Sequence, residues 1–289
     1  MVSSWLNDSP HRPLLVIVGP TASGKTEFAI RLAEIFEGEI VNADSRQIYR
    51  ELEIGSAPPT AAEQAEIPHH LVGIASPAEK ISVAQYRKLA ETKIQKIWRR
   101  GKLPILAGGH TLLISAIIEN FQFPGKVDEK RRAELGEIWE KNPEKLWKML
   151  QKLDSKTAAK IPKENRHHLI RTVERAELGN EGKKGERKFD TLILGLNPDR
   201  KKLYARIDQR VDKMLKSGLL AEVESLSEKY DRYAPAMRGH GYREILDFLA
   251  REKNWETTVE EIRKDTRNYA KRQMTWWRNC GFAKEIIWL

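Results

Sequence analysis

Residues 19–26 read Gly19-Pro20-Thr21-Ala22-Ser23-Gly24-Lys25-Thr26, a complete G-x-x-x-x-G-K-[ST] loop. Small residues let successive backbone N–H groups turn inward onto phosphate oxygens. Lys25 adds a compact positive charge, and the Thr26 hydroxyl is of the type that holds Mg²⁺. The pattern implies a bound polyphosphate without saying which one. A nucleotide hydrolase also needs an acid at the end of a neighbouring strand, to hold the metal and its attacking water. Here the strand-like run Leu103–Ala107 ends in Gly108-Gly109, with no carboxylate. Asp44 instead ends the run Glu39-Ile40-Val41-Asn42-Ala43, and Ser45-Arg46-Gln47 follow at once. Two roles stay open for Asp44. It is either a general base facing a reactant beside the polyphosphate, or a group that caps the next turn or orders Mg²⁺ from behind. Lys201, Lys202, Arg206 and Arg210 recur near helical spacing. An arginine on the phosphate side can neutralise a leaving group, although each alone also reads as a solvated surface residue. His69-His70 and His167-His168 have no evident acidic or cysteine complement, so no zinc site is expected.

These groups need a scaffold that holds a loop and two strand ends together. Leu14–Val18 is a short apolar run before the loop, and Glu27–Phe36 places Phe28, Ala29, Leu32, Ala33 and Phe36 on one helical face. Ser82-Val83-Ala84-Gln85 has the form of a capping box opening a helix to Arg100, with Gly101 as its stop. Strand, loop, helix, strand, helix, strand and helix in that order predict a parallel sheet covered by helices. From about Phe121 the chain changes character. Residues 127–178 are rich in Lys, Glu, Arg and Trp at helical spacing, and Asn180–Lys188 is a Gly- and charge-rich connector. Thr191–Leu196 then returns as a strand, and the remainder is helical to about Arg278. The expectation is an α/β core at 1–121 and 189–289, with a helical insertion domain at 122–188.

The 289 residues allow one large or two smaller domains, and 40% hydrophobic residues support a real core. A mean hydropathy of −0.58 describes a soluble chain. The formal charge of +10 exceeds what a small-metabolite enzyme needs and favours polyanions, nucleic acid first. One cysteine, Cys280, excludes an internal disulfide framework. Met1–Pro13 has no apolar secretory core, and no run is long enough for a membrane span, so a cytoplasmic setting is expected. Arg263–Lys284 carries seven basic residues against one Asp, interleaved with Tyr269, Trp276 and Trp277. That mixture suits phosphate contacts and base stacking, but a tandem Trp in a helix also reads as core packing.

Several blocks together resemble the tRNA dimethylallyltransferase (tRNA isopentenyltransferase) family. They are Gly19–Thr26, Asn42-Ala43-Asp44-Ser45-Arg46-Gln47-Ile48-Tyr49, Pro68-His69-His70-Leu71, Gly218–Val223, Gly241-Tyr242-Arg243-Glu244 and Thr266–Arg278. The resemblance runs over nearly the whole chain. It implies a P-loop NTPase-like parallel sheet with a helical insertion that grips tRNA. It also implies transfer of a dimethylallyl group from dimethylallyl diphosphate to the exocyclic amine of adenosine 3′ of the anticodon. In that reading residues 19–26 hold the diphosphate, and Lys25, Arg210 and Mg²⁺ near Thr26 meet its charge. Asp44 accepts the amine proton. Ser45, Arg46 and Gln47 position the extruded base, since chemistry on a stacked base requires extrusion.

The family pattern is not followed everywhere. His110 and Leu113 stand where the family has Thr and Tyr, and the Thr position is one that contacts tRNA. A histidine there adds a group able to titrate near neutrality. His168-Leu169-Ile170-Arg171-Thr172-Val173-Glu174 loses one arginine of the family's tRNA-gripping segment. With His167, these residues form the expected anticodon stem-loop contacts. No obligate protein partner is implied. Two alternatives share features of the chain. An adenylate (cytokinin-type) isopentenyltransferase would use the same donor with a mononucleotide acceptor, and a P-loop kinase would transfer a phosphoryl group.

Overall fold

The computed structural model describes residues 1–8, 11–123, 129–178 and 184–289. The chain divides into two compact units. One is Met1–Ile118 with Arg187–Leu289, and the other is Glu119–Glu186.

The larger unit is built on six strands: β1 (Pro13–Val18), β2 (Gly38–Asn42), β3 (His69–His70), β4 (Leu103–Ala107), β5 (Asp190–Gly195) and β6 (Ile286–Trp288). They pair in the order β3-β2-β4-β1-β5-β6, every pair parallel. The inner strands are apolar on both faces because both faces are covered. Leu14, Val16, Val41, Leu106 and Ile193 point into one core cluster, while Leu15, Ile17, Ile40, Ile105 and Leu194 point into the other. Complete burial of side chains such as Leu15 and Ile17 contributes about 1.5–3 kcal/mol each.

Helices α1 (Val2–Asp8) and α2 (Lys25–Ile35) belong to the second of these clusters. Helices α3 (Ala61–Glu66), α4 (Val83–Arg99) and α5 (Thr111–Ile118) complete the first half of the unit. The capping box expected at Ser82 is present. Ser82 Oγ accepts from the Gln85 amide at 3.2 Å and Gln85 Oε1 accepts from the Ser82 amide at 2.8 Å.

Strand β1 is the switch point, with β4 on one side and β5 on the other, so the crevice of the sheet opens above its carboxyl end. Backbone bonds beyond the strands tie these ends together. Ala43 N donates to Ala107 O at 2.8 Å, Gly108 N to Ile17 O at 3.2 Å, and His110 N to Ala43 O at 3.1 Å. Gly108 is required there, because a Cβ on it would lie 2.2 Å from Ala43 O.

Four pieces of the larger unit were not expected from the sequence: α1, α3, β3 and β6. Between Gln47 and Ser82, where the sequence marks no element, lie α3 and β3, with Thr60 forming a capping box with Glu63. The chain past Arg278 adds β6 at the far edge of the sheet. The larger unit is completed by α10 (Arg200–Lys216), α11 (Leu219–Lys229), α12 (Tyr242–Leu249) and α13 (Trp255–Asn279).

Within the smaller unit lie α6 (Glu129–Lys141), α7 (Pro143–Leu153), α8 (Ser155–Ala158) and α9 (Arg166–Glu177). Their own core is Leu135, Leu146, Leu150, Leu169, Ile170 and Val173 with smaller neighbours. Asn142 and Asn165 cap α7 and α9, each side chain accepting an amide three residues on. The connector expected at 180–188 falls partly outside the described residues.

Candidate active site: two cavities sharing an acid and an arginine

The turn after β1 can form because Gly24 adopts φ 91°, in the left-handed region, immediately before α2 begins at Lys25. The loop's backbone therefore meets the positive end of that helix, a setting suited to an anion. Thr21, Ala22, Ser23, Gly24, Lys25 and Thr26 line a cavity of about 590 Å³. Gly19 and Pro20 form the entry to the turn, and Pro20 O accepts from Lys25 Nζ at 2.5 Å. Burial pushes the Lys25 ammonium down to about 8, with Asp44 opposing and Arg210 adding to the shift.

Asp44, Gln47 and Arg210 complete the same cavity. Asp44 Oδ1 accepts from the Arg46 amide at 2.8 Å, so the carboxylate does cap the following turn. The capping bond does not remove it from the cavity, whose wall it still forms. Arg210 comes from α10 and donates from Nη2 to Ser56 O at 3.5 Å. Burial pushes its guanidinium below the usual value, and Asp44 opposes that shift.

A second cavity of about 210 Å³ adjoins the first and shares Thr21, Asp44 and Arg210 with it. Its other walls mix polar groups (Ser45, Arg46, His110, His240, Tyr269) with apolar ones (Ile207, Val211, Met214, Leu219, Ile262). Arg46 is held by its donation to Pro235 O at 2.8 Å, and Gln47 by its donation to Ala57 O at 2.9 Å. His110 caps α5, its Nδ1 accepting from the Leu113 amide at 3.3 Å. Burial pushes its pKa below the ordinary histidine value, although Asp44 pulls the other way. Titration of the ring is thereby moved to the acid side of the ordinary histidine range.

The larger unit thus gathers residues 21–26, Asp44, Ser45, Arg46, Gln47, His110 and Arg210 around two adjoining cavities. His167, His168 and Arg171 lie on α9 of the smaller unit, where Arg171 Nη1 pairs with Glu174 at 2.9 Å. Arg132 meets the same carboxylate with two bonds.

Gln273 was not singled out from the sequence. Its Oε1 accepts from the Thr21 amide at 2.9 Å and its Nε2 donates to Gly109 O at 2.8 Å, joining the phosphate loop to the end of β4. The available signals were its place in the Thr266–Arg278 block and an amide among cations and aromatics. Of the tandem tryptophans, Trp277 is wholly buried and Trp276 packs edge-on against it at 5.0 Å, so this pair belongs to the core.

His70 does have an acidic partner, contrary to expectation. Its Nε2 lies 2.7 Å from Glu39 of the neighbouring strand. Glu39 is also held by two bonds from Arg100, which leaves it no place in a metal site. Among the described residues the one three-ligand group is His240, Glu244 and Asp265, and Arg243 already bridges its two carboxylates.

The two adjoining cavities, one on the glycine loop and one of mixed polarity, therefore share Thr21, Asp44 and Arg210. Residues 47–280 match the model of the IPP transferase family. The chain is 42% identical over 287 residues to the tRNA dimethylallyltransferase of Acetivibrio thermocellus, covering 96% of this chain and 91% of that protein. It is 38% identical to the Limosilactobacillus reuteri tRNA dimethylallyltransferase, over 92% of this chain and 90% of that one. The crystal structure of the tRNA isopentenylpyrophosphate transferase of Bacillus halodurans superposes with a TM-score of 0.74 at 36% identity, covering 96% and 90% of the two chains. A eukaryotic dimethylallyltransferase crystallised acting on tRNA gives 0.85 at 28% identity, covering 96% of this chain and 74% of that one. This chain belongs to the IPP transferase family, among the tRNA dimethylallyltransferases.

Proposed function

We propose that this chain transfers the dimethylallyl group of dimethylallyl diphosphate to the exocyclic amine of adenosine 3′ of the anticodon in tRNA, releasing diphosphate. The observation that carries this reading is the sharing of Asp44 and Arg210 by the two cavities. A donor diphosphate on the loop and a base in the second cavity would meet at these two residues. As the amine nitrogen bonds to C1 of the dimethylallyl group, the C1–O bond breaks and its electrons go to diphosphate. The amine proton goes to Asp44. Lys25, Arg210 and the loop amides meet the charge gathering on the leaving group. Thr26, whose hydroxyl-bearing side chain lines the loop cavity, would hold Mg²⁺, and the ion would supply further neutralisation of the leaving diphosphate.

Ser45, Arg46 and His110, which line the second cavity, are proposed to receive the base, while Gln47, expected to do the same, lines the phosphate cavity and holds the loop at Ser56–Ala57. His167, His168 and Arg171 are proposed to grip the anticodon stem-loop, with the +10 charge favouring tRNA at longer range. Among the described residues no helix is long and apolar enough to cross a membrane. A cytoplasmic setting and action without an obligate protein partner are part of the proposal.

The test uses isotopically labelled dimethylallyl diphosphate, Mg²⁺, unmodified tRNA and AMP. Label in tRNA at the adenosine 3′ of the anticodon is expected. Label in AMP alone would replace the acceptor with a mononucleotide, and label in neither would end the prenyl-transfer reading.

The Lys25 shift adds a pH prediction. The ammonium is charged below about 8 and neutral above it, so affinity for a non-reacting thio analogue of dimethylallyl diphosphate should fall as pH rises through about 8. Calorimetry between pH 7 and 9.5 should show this fall in the wild type and a flat profile in Lys25→Arg, which stays charged. A flat wild-type profile would take Lys25 out of donor binding.

A further inference from the structure

Two sequence blocks, Gly218–Val223 and Gly241–Glu244, are not used by the transfer chemistry, yet they converge on one carboxylate. Glu222 of α11 accepts four hydrogen bonds. Its Oε2 takes the amides of Glu53 at 2.9 Å and Ile54 at 2.7 Å, and its Oε1 takes the Gly55 amide at 3.0 Å and the Tyr242 hydroxyl at 2.6 Å. Three successive amides turned onto one anion form a nest, a turn geometry that an anion holds in place. The segment is bounded by two non-glycine residues in the left-handed region, Glu51 at φ 67° and Ala57 at φ 44°. Such backbone persists only where the surroundings over-determine it. Gly55 also lies flat on Tyr242, since a Cβ there would sit 2.5 Å from the ring.

The far side of this loop faces the chemistry. Ser56 O accepts from Gln47 Nε2 at 3.3 Å and from Arg210 Nη2 at 3.5 Å, and Ala57 O accepts from Gln47 Nε2 at 2.9 Å. Gln47 and Arg210 line the phosphate cavity, while Gly55 and Ser56 line the second one. Glu222 itself lines neither. We propose that Glu222 is a positioning residue for the transfer: by holding residues 53–57 it sets the Ser56 carbonyl that orients the Arg210 guanidinium toward the donor diphosphate. This rests on the reading that Arg210 meets that diphosphate.

The demand for a carboxylate follows from the donors. All four partners donate, so a carboxamide at 222 would turn an NH₂ toward an N–H or O–H and open the loop. Tyr242→Phe removes a single donor and leaves the nest.

The experiment measures inorganic diphosphate binding with Mg²⁺ by calorimetry, on the full chain. Glu222→Gln is expected to weaken binding about tenfold, the scale of a lost hydrogen bond to a charged group. Tyr242→Phe is expected to weaken it about two- to threefold, a neutral-bond scale. Both losses should disappear in an Arg210→Ala background, because the effect passes through Arg210. A role confined to packing would lower the melting temperature without that coupling. If Arg210→Ala binds diphosphate as the wild type does, the underlying reading of Arg210 fails before Glu222 is tested. If Arg210→Ala weakens binding while Glu222→Gln does not, or if the two losses multiply in full, the Glu222 inference is overturned. Should Glu222→Gln fail to fold by circular dichroism, the same coupling is read from Tyr242→Phe, whose undiminished loss beside Arg210→Ala overturns the proposal.

Discussion

Asp44→Ala protein is expected to bind dimethylallyl diphosphate with wild-type affinity while losing transfer to tRNA by about 10²–10⁴, the range of a positioned acid or base. The split follows from the place of the side chain, which lines both cavities while the loop residues 22–26 line the first and not the second. One of its oxygens accepts from the Arg46 amide at 2.8 Å, and the other is the one proposed to take the amine proton. Alanine removes the turn cap as well as the base, and so could disturb Arg46 and Ser45. Asp44→Asn separates these effects, since its carbonyl oxygen can still accept the amide but the group cannot take up a proton at neutral pH. Single-turnover rates should therefore fall by a similar factor in both variants, with donor affinity retained in both. If Asp44→Asn transfers at near-wild-type rate, Asp44 serves as a cap alone and the base must be sought elsewhere.

The parts of this site that were legible in the sequence are those made by contiguous residues. The loop at 19–26 and the Asp44–Gln47 turn announce themselves because their backbone geometry is set within a few positions. The inner strands are legible for a related reason: with both faces buried they read as unbroken apolar runs. Strand β3 is only two residues long and polar at both, so it carries no such run, and the apolar run of β6 is only three residues long, too short to mark a strand by itself. Gln273 and Glu222 were not legible as site residues because their roles lie in partners far along the chain, Thr21 and Gly109 for one and residues 53–55 for the other. His110 illustrates a different limit. Its type suggested a neutral-pH switch, but burial and the cap on α5 decide its charge, and neither is visible in one-dimensional spacing.

Arg210→Ala should lower kcat/KM for dimethylallyl diphosphate by about 10²–10³, the cost of removing one group that meets developing charge in a preorganised site. Arg210→Lys should fall between, because a point charge on a flexible stem cannot reproduce the planar fork of the guanidinium. The geometry supplies a second, independent readout. Arg210 is one of the groups that hold the Lys25 ammonium down near 8, through repulsion between two cations that share a buried site. Removing it favours the charged lysine, so the Lys25 pKa should rise and the alkaline loss of donor affinity should move to higher pH. Arg210→Lys keeps the charge and should leave that midpoint close to the wild-type value. Rate and pH profile thus report different things, the first on charge at the leaving group and the second on the distance between two side chains. An Arg210→Ala enzyme within threefold of wild type would remove Arg210 from the transfer step. An unshifted midpoint with a large rate loss would instead place the arginine at the diphosphate but too far from Lys25 for the coupling argued here.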